Sequence, residues 1–372
     1  MKIMTVVGTR PELIRLSRVI DQLDKHFEHV LVHTGQNFDF ELNQIFFDEL
    51  QIREPDYFLE AAGGTTAQTI AKVIEKIDEL FEKIQPDAVL ILGDTNSGLC
   101  VIPAKRRHIP IFHMEAGNRC FDLRVPEEIN RKIIDHLSDI NLPYTEHARR
   151  NLLAEGLPSD QIFVTGSPLT EVLDHYQTQI AESEIVEKLG LEAGKYFVAS
   201  FHREENVDNS ERLAILLESL NALAAEYGFP IVLSVHPRTR KKLEDTTVAL
   251  DERIRDLKPL GFFDYVKLQQ LAYCTLSDSG TITEESAIMG FPAVTLRDTH
   301  ERPEGMDSGV LVMTGISKAS IIAGIGIVRS QFETGSLPTR PADYESVDVS
   351  WKVMKLIQSY VPYIKRRTWG AS

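Results

Sequence analysis

Asp94, Glu115, Glu127 and His202 have the side chains best suited to moving a proton, and each sits where an apolar run gives way to a turn or a helix start. Asp94 closes AVLILGD, Glu115 closes IPIFHME just before Ala116-Gly117, and Glu127 follows Pro126 with Glu128 beside it. An acid after a buried strand also serves to cap the next turn, and acids in the first turn of a helix are favourable there on electrostatic grounds alone. Several carboxylates at one opening can nevertheless supply an acid and a base, provided burial and mutual repulsion separate their pKa values. His202, in SFHREEN, can hold a phosphate or protonate a leaving oxygen. His236, in SVHPR, has Arg238 nearby as a second cation, whereas His33 and His113 alternate with apolar neighbours and read as structural.

A second group of residues suits an anion. Arg10 follows an apolar run and Gly8, and its forked guanidinium either pairs with phosphate or forms a salt bridge with Glu12. GTRPE lacks the spacing of a P-loop. Ser279-Gly280-Thr281 lies between YCTLSD and ITEESAIMG, which reads as strand, small-residue turn and helix. The first amides of such a helix can hold phosphate without a cation. Glu285, one turn on, either accepts from two ribose hydroxyls or belongs to a solvated helix face. No GxGxxG is present, against tightly bound NAD, and the eleven histidines include no HExxH. The expectation is a site without metal or cofactor.

Positioning these residues requires strand ends. Ile3 to Val7, 29–35, 87–94, 109–117 and 162–168 read as strands, with helical patterns at 65–84 and 126–137 between them. The alternation restarts with strands at 195–202, 230–237, 273–280 and 291–298, and a long amphipathic helix at 210–227. Strands separated by helices in both halves predict two doubly wound α/β, Rossmann-like domains, in which ligands lie beyond the C-terminal strand ends. The expected domains are 1–175, carrying the carboxylates, and 176–355, carrying the phosphate-binding turn. A helical tail at 356–372 packs back on the first domain.

A length of 372 residues fits two domains. A net charge of -15, from 55 acidic against 40 basic residues, argues against broad attraction to nucleic acid or to an anionic membrane surface. Three cysteines without a CxxC pair fit a reducing compartment. The apolar start ends at Gly8, too short for a secretory signal, and no 18-residue apolar stretch follows, so a cytoplasmic protein without membrane insertion is expected.

Taken in order, GTRPE (8–12), TGQ (34–36), GDT (93–95), EAG (115–117), PEE (126–128), HRE (202–204), DSG (278–280) and ERPEG (301–305) resemble the non-hydrolysing UDP-N-acetylglucosamine 2-epimerase family. The resemblance spans nearly the whole chain. It implies a fold of the GT-B type, two domains facing a closable cleft, and a homodimer acting on a UDP-linked N-acetylamino sugar. It further implies a reaction in two stages: UDP is eliminated with loss of the C2 proton, and is re-added through a 2-acetamidoglycal. By resemblance Asp94, Glu115 and Glu127 lie nearest the sugar and His202 near the phosphates. Arg10, Gln36, His236, Ser279, Gly280, Thr281 and Glu285 bind UDP or substrate.

The chain departs from the commoner pattern of the family. Arg15 stands where lysine is usual, Glu204 where arginine is, Asn118-Arg119-Cys120 where a Leu-Arg-Thr-like segment is, and Thr281 in place of a second glycine. The stretches 112–136 and 276–305 are similar to a branch that converts UDP-2-acetamido-2,6-dideoxy-β-L-talose to UDP-N-acetyl-β-L-fucosamine, for capsule, O-antigen or lipopolysaccharide precursors. The neighbouring alternative is the UDP-N-acetylglucosamine/UDP-N-acetylmannosamine reaction. A UDP-sugar-dependent glycosyltransferase is the alternative of another class.

Overall fold

A computed structural model describes residues 1–36, 40–235 and 237–370. The chain forms two compact units, one running Met1–Asp174 and resuming at Ala342, the other His175–Pro341. The first contains strands β1 (Lys2–Val7), β2 (Glu28–His33), β3 (Tyr57–Phe58), β4 (Ala88–Leu92), β5 (Ile111–Met114) and β6 (Ile140–Leu142), in the order β3-β2-β1-β4-β5-β6. The second contains β7 (Phe197–Ser200), β8 (Ile231–Ser234), β9 (Ile254–Leu257), β10 (Cys274–Ser277), β11 (Ala293–Thr295) and β12 (Val312–Met313), in the order β12-β11-β10-β7-β8-β9. All these pairings are parallel. Two doubly wound sheets in one chain make the architecture of GT-B type, as expected.

Apolar runs such as AVLIL in β4 form strands because both faces are covered, and every residue of β4 is buried. The covering helices show the complementary pattern. Thr66–Ile84 buries Thr69, Val73, Ile77, Leu80 and Phe81, one face at helical spacing, and starts where the Thr65 side chain accepts from the Gln68 amide. Ser210–Tyr227 is capped by Asn209, which accepts from the amides of Glu211 and Arg212, and stops at Gly228 in the left-handed region.

Each sheet reverses its winding once, between β1 and β4 in the first unit and between β7 and β10 in the second. At such a switch point the flanking loops splay to opposite faces and leave a crevice at the strand ends. Arg10 follows β1 and Asp94 follows β4, while His202 follows β7 and Ser279 follows β10.

Two expectations change. IFVTGSP forms a single bridge, Asn141 with Ile162, rather than a strand. The Phe163 and Thr165 amides still bond Asn141 and Pro143, but Gly166 turns into the left-handed region at φ 85 and Pro168 has no N–H to offer. The chain also re-enters the first unit at Ala342, so residues 342–355, expected with the second domain, lie in the first. Tyr344 is fully buried there, and the Ser350 amide and hydroxyl both bond Glu171. The last helix, Val349–Trp369, packs on the helix Arg10–His26, with the Trp351 and His26 rings 5.4 Å apart.

Candidate active site

In the first unit the loop after β1 is tied down by its own residues. A Cβ on Gly8 would lie 2.0 Å from Ser97 Oγ and 2.4 Å from Thr34 Oγ1, so only glycine fits beneath that hydroxyl pair. The Glu12 carboxylate accepts from the Gly8 amide at 2.5 Å, the Thr9 amide at 3.2 Å and Thr95 Oγ1 at 2.6 Å. One buried carboxylate thus joins the loop carrying Arg10 to the loop carrying Asp94. Burial raises the Glu12 pKa to about 7 against the pull of these hydrogen bonds. With Glu12 so engaged, Arg10 lies with its guanidinium carbon 5.6 Å from the centre of the Phe46 ring. Gln36 sits over Gly8, its Oε1 buried without a hydrogen-bond partner.

Asp94 and Glu115 end the adjacent strands β4 and β5, and each meets a buried guanidinium. Arg131 Nε donates to Asp94 Oδ2 at 2.8 Å, and Asn130 Nδ2 donates to the Asp94 carbonyl at 2.9 Å. Arg15 Nη1 donates to Glu115 Oε2 at 2.7 Å, and Asn118 Nδ2 to Oε1 at 3.3 Å. Arg15 also lies over the Tyr144 ring, 5.7 Å from its centre. Glu115 has φ 66, a left-handed conformation that costs a non-glycine residue about 1–3 kcal/mol. The carboxylate it aims reaches the neighbouring loop, since a Cβ on Gly93 would lie 3.9 Å from Glu115 Oε2.

Glu127 and Glu128 part company on the helix Pro126–Leu137. Glu127 is half-buried in the first turn. Glu128 is wholly buried and accepts from the Cys120 amide at 3.1 Å, the Phe121 amide at 3.2 Å and Arg131 Nη1 at 2.9 Å. Burial pushes the Glu128 carboxyl up, but those amides and Arg131 outweigh it and hold the pKa below the usual carboxylate range. Glu128 therefore anchors the loop ahead of the helix, while Glu127 stays half-buried in its first turn.

In the second unit the hub is Asp278, fully buried at the end of β10. It accepts from the amides of His202 and Arg203, at 3.1 Å and 3.0 Å, and from Asn206 Nδ2 at 3.0 Å. It thereby fixes the backbone of the loop after β7 while the His202 side chain stays 54% exposed, Nδ1 3.3 Å from Asp278 Oδ1. Ser279 Oγ and Thr281 Oγ1 are 3.0 Å apart, and Thr281 Oγ1 donates to Glu285 Oε1 at 2.6 Å. Gln269 Nε2 donates to Glu285 Oε2 at 2.7 Å, so Glu285 is an oriented acceptor rather than a solvated surface acid. A Cβ on Gly280 would fall 2.2 Å from Glu301 Oε1, and Glu301 is held by Arg297 at 2.6 Å and Arg203 at 3.3 Å. Glycine is required because the turn rests on a carboxylate that cannot yield.

Arg10, Gln36, Asp94, Glu115 and Glu127 thus gather at one sheet edge, and His202, Ser279, Gly280, Thr281 and Glu285 at another. His236 lies outside the described residues. Sequence reasoning passed over Glu12, Asn118, Arg131 and Asp278 as site residues. Arg131, one turn beyond Glu127 and Glu128 on their helix, had a spacing signal. The pairing of Arg15 with Glu115, 100 residues apart, had none.

Comparison with known proteins supplies the context. The family model described as UDP-N-acetylglucosamine 2-epimerase matches residues 21–358. A structure of UDP-N-acetylglucosamine 2-epimerase from Rickettsia bellii is 52% identical and superposes with a TM-score of 0.92, covering 99% of each chain. The Methanocaldococcus jannaschii UDP-GlcNAc 2-epimerase, in complex with UDP-GlcNAc and UDP, gives a TM-score of 0.90 at 32% identity over 96% of this chain and 99% of that one. A Pseudomonas aeruginosa relative named UDP-2,3-diacetamido-2,3-dideoxy-D-glucuronate 2-epimerase is 36% identical over 87% of this chain and 90% of its own length.

Proposed function

Because the chain belongs to the UDP-N-acetylglucosamine 2-epimerase family, we propose that this nucleotide-sugar isomerase inverts C2 of UDP-2-acetamido-2,6-dideoxy-β-L-talose to give UDP-N-acetyl-β-L-fucosamine. The observation that carries the reaction class is the trio of carboxylates at one sheet edge, two of them clamped by guanidinium groups at the ends of neighbouring strands. The C2 hydrogen is weakly acidic, so a carboxylate removes it only as the C1–O bond to UDP breaks, leaving a 2-acetamidoglycal. A proton then returns to the opposite face of C2 and UDP re-adds at C1. Arg10, His202 and the turn at Ser279-Gly280-Thr281 offset the charge that grows on departing UDP. Glu285, its oxygens aimed by Thr281 and Gln269, accepts from the ribose hydroxyls, and Gln36 and His236 complete the substrate contacts.

The choice of sugar rests on the resemblance of residues 112–136 and 276–305 to that branch, with which the departures at Arg15, Asn118 and Thr281 agree. The Pseudomonas relative, named for a different sugar, supports treating the sugar as variable within the family. The neighbouring reading, UDP-N-acetylglucosamine as substrate, is favoured by the names of relatives such as the Methanocaldococcus jannaschii enzyme. Proton NMR of each sugar nucleotide with the pure protein in deuterated water separates the two. Deuterium at C2 of the talose compound with UDP still attached is the expected result. Exchange only with UDP-N-acetylglucosamine moves the substrate to that sugar, and no exchange with either removes the epimerase reading for both.

We also place the enzyme in the cytoplasm as a homodimer. No helix among the described residues is long and apolar enough to cross a membrane. Sedimentation at twice the chain mass of 42.0 kDa is the expected result, and a single-chain mass would overturn the dimer.

A further inference from the structure

The helix Pro126–Leu137 turns Glu128, Arg131 and Asp135 inward, at i, i+3 and i+7, a stripe where an amphipathic helix would place apolar residues. Glu128 holds the preceding loop and Arg131 holds Asp94, as described above. Asp135, fully buried, accepts from the Gly117 amide at 3.2 Å and from Arg119 Nη1 at 2.7 Å. Its Oδ1 also lies 2.9 Å from His113 Nδ1, in contact but not aligned as a hydrogen bond. His113 is 1% exposed, and its Nε2 donates to the Gly93 carbonyl at 2.8 Å.

These contacts span two loops. Gly93, at φ 77, immediately precedes Asp94, while Gly117, at φ 82, lies two residues after Glu115. A Cβ on Gly117 would come 2.4 Å from the Ala148 carbonyl, so the loop after β5 is pinned on its other side as well. Burying a carboxylate, a guanidinium and an imidazole together is costly, and apolar side chains of similar volume would serve stability as well or better. A core histidine with only a packing role would not join the carbonyl before one candidate carboxylate to an acid that bonds the amide beyond another.

We propose that His113 and Asp135 are positioning residues that set the spacing between the loops carrying Asp94 and Glu115. The role rests on reading Asp94 and Glu115 as the sugar-side carboxylates. It acts through geometry: neither residue touches the sugar, and a displacement of about 1 Å in a reacting group lowers turnover about 100-fold.

The test compares His113→Ala and His113→Gln with the unaltered protein. The kcat and KM for C2 hydrogen exchange, UDP affinity, and amide hydrogen exchange at 93–97 and 115–119 are measured on each. His113→Ala is expected to lower kcat about 100-fold with KM and UDP affinity unchanged within about threefold, and to speed amide exchange in both loops. His113→Gln, which keeps a donor for the Gly93 carbonyl, is expected to recover about half of that loss on a logarithmic scale. Asp135→Asn in the His113→Ala background is expected to lower kcat by less than it does alone, since both act on one linkage. A loss confined to KM, multiplicative effects in the double variant, or acceleration in one loop only would overturn the proposal. If the unaltered protein exchanges no C2 hydrogen, the proposed reaction fails, while the amide exchange still decides whether His113 and Asp135 hold the two loops together.

Discussion

At the scale of single residues, two buried groups contribute to the pH dependence of stability with opposite signs. Glu12 has its pKa raised to about 7 by burial, from an ordinary 4.5. The folded chain therefore keeps a proton that the unfolded chain releases, and this contribution to stability is present at low pH and lost between about 4.5 and 7. His33 has its pKa lowered to about 4 by burial, from an ordinary 6.5. It stacks on Phe58 at 5.0 Å, and its Nδ1 accepts from the Gly35 amide at 3.1 Å, which requires the neutral ring. Its contribution is present above about 6.5 and lost as the pH falls to about 4. Each is worth about 3 kcal/mol, and in the shared window they oppose. Urea denaturation across that window should be nearly flat with respect to these two groups. Glu12→Gln should leave stability rising with pH, and His33→Gln should leave it falling; the same slope in both variants would refute the pairing. The residue scale also predicts that Gly280→Ala weakens UDP binding by about tenfold or more in calorimetry, because the turn must shift off Glu301.

At the scale of elements, the unit is a strand end together with the helix that braces it. Arg15, on the helix after β1, crosses to Glu115 at the end of β5, so the first helix of the chain orients a side chain from a later strand. The Arg15 side chain is 4% exposed and the Glu115 side chain 16%, so Arg15→Ala leaves the largely buried Glu115 carboxylate without its guanidinium, though still with Asn118, at a cost of about 3 kcal/mol. Arg15→Lys keeps the charge but loses the planar fork over Tyr144, and a smaller loss, about 1–2 kcal/mol, is expected from urea titration. Equal losses in the two variants would mean that charge alone matters. The helix Pro126–Leu137 behaves likewise. Glu128→Gln removes the charge facing Arg131 and weakens the hold on the Cys120 and Phe121 amides. The expected result is a loss of about 3 kcal/mol together with a lower kcat. These braces were half legible beforehand. Pro126 and its acids marked a helix start, but nothing in a linear pattern separates the half-buried Glu127 from the wholly buried Glu128.

At the scale of the whole molecule, the first unit is completed by the last stretch of the chain. Tyr344, Val349, Val353, Ile357 and Val361 are buried there, and Lys365 pairs with Asp87 at 2.5 Å. Ending the chain at Pro341 should therefore lower the melting temperature of the first unit by ten degrees or more, about the effect of losing several core side chains. Calorimetry should show the second unit's transition nearly unmoved, and a loss shared equally by both would count against the division. The amino-acid pattern determined that there are two doubly wound halves, because buried parallel strands and one-sided helices are consequences of local composition and period. It also determined which polar residues stand at strand ends, since each follows directly on an apolar run. Only the tertiary structure decided that Arg15 and Asn118 meet on Glu115, that Asp278 is a backbone hub, and that residues 342–355 return to the first unit. Those are pairings across tens to hundreds of residues, made by how the chain packs and encoded in no local spacing.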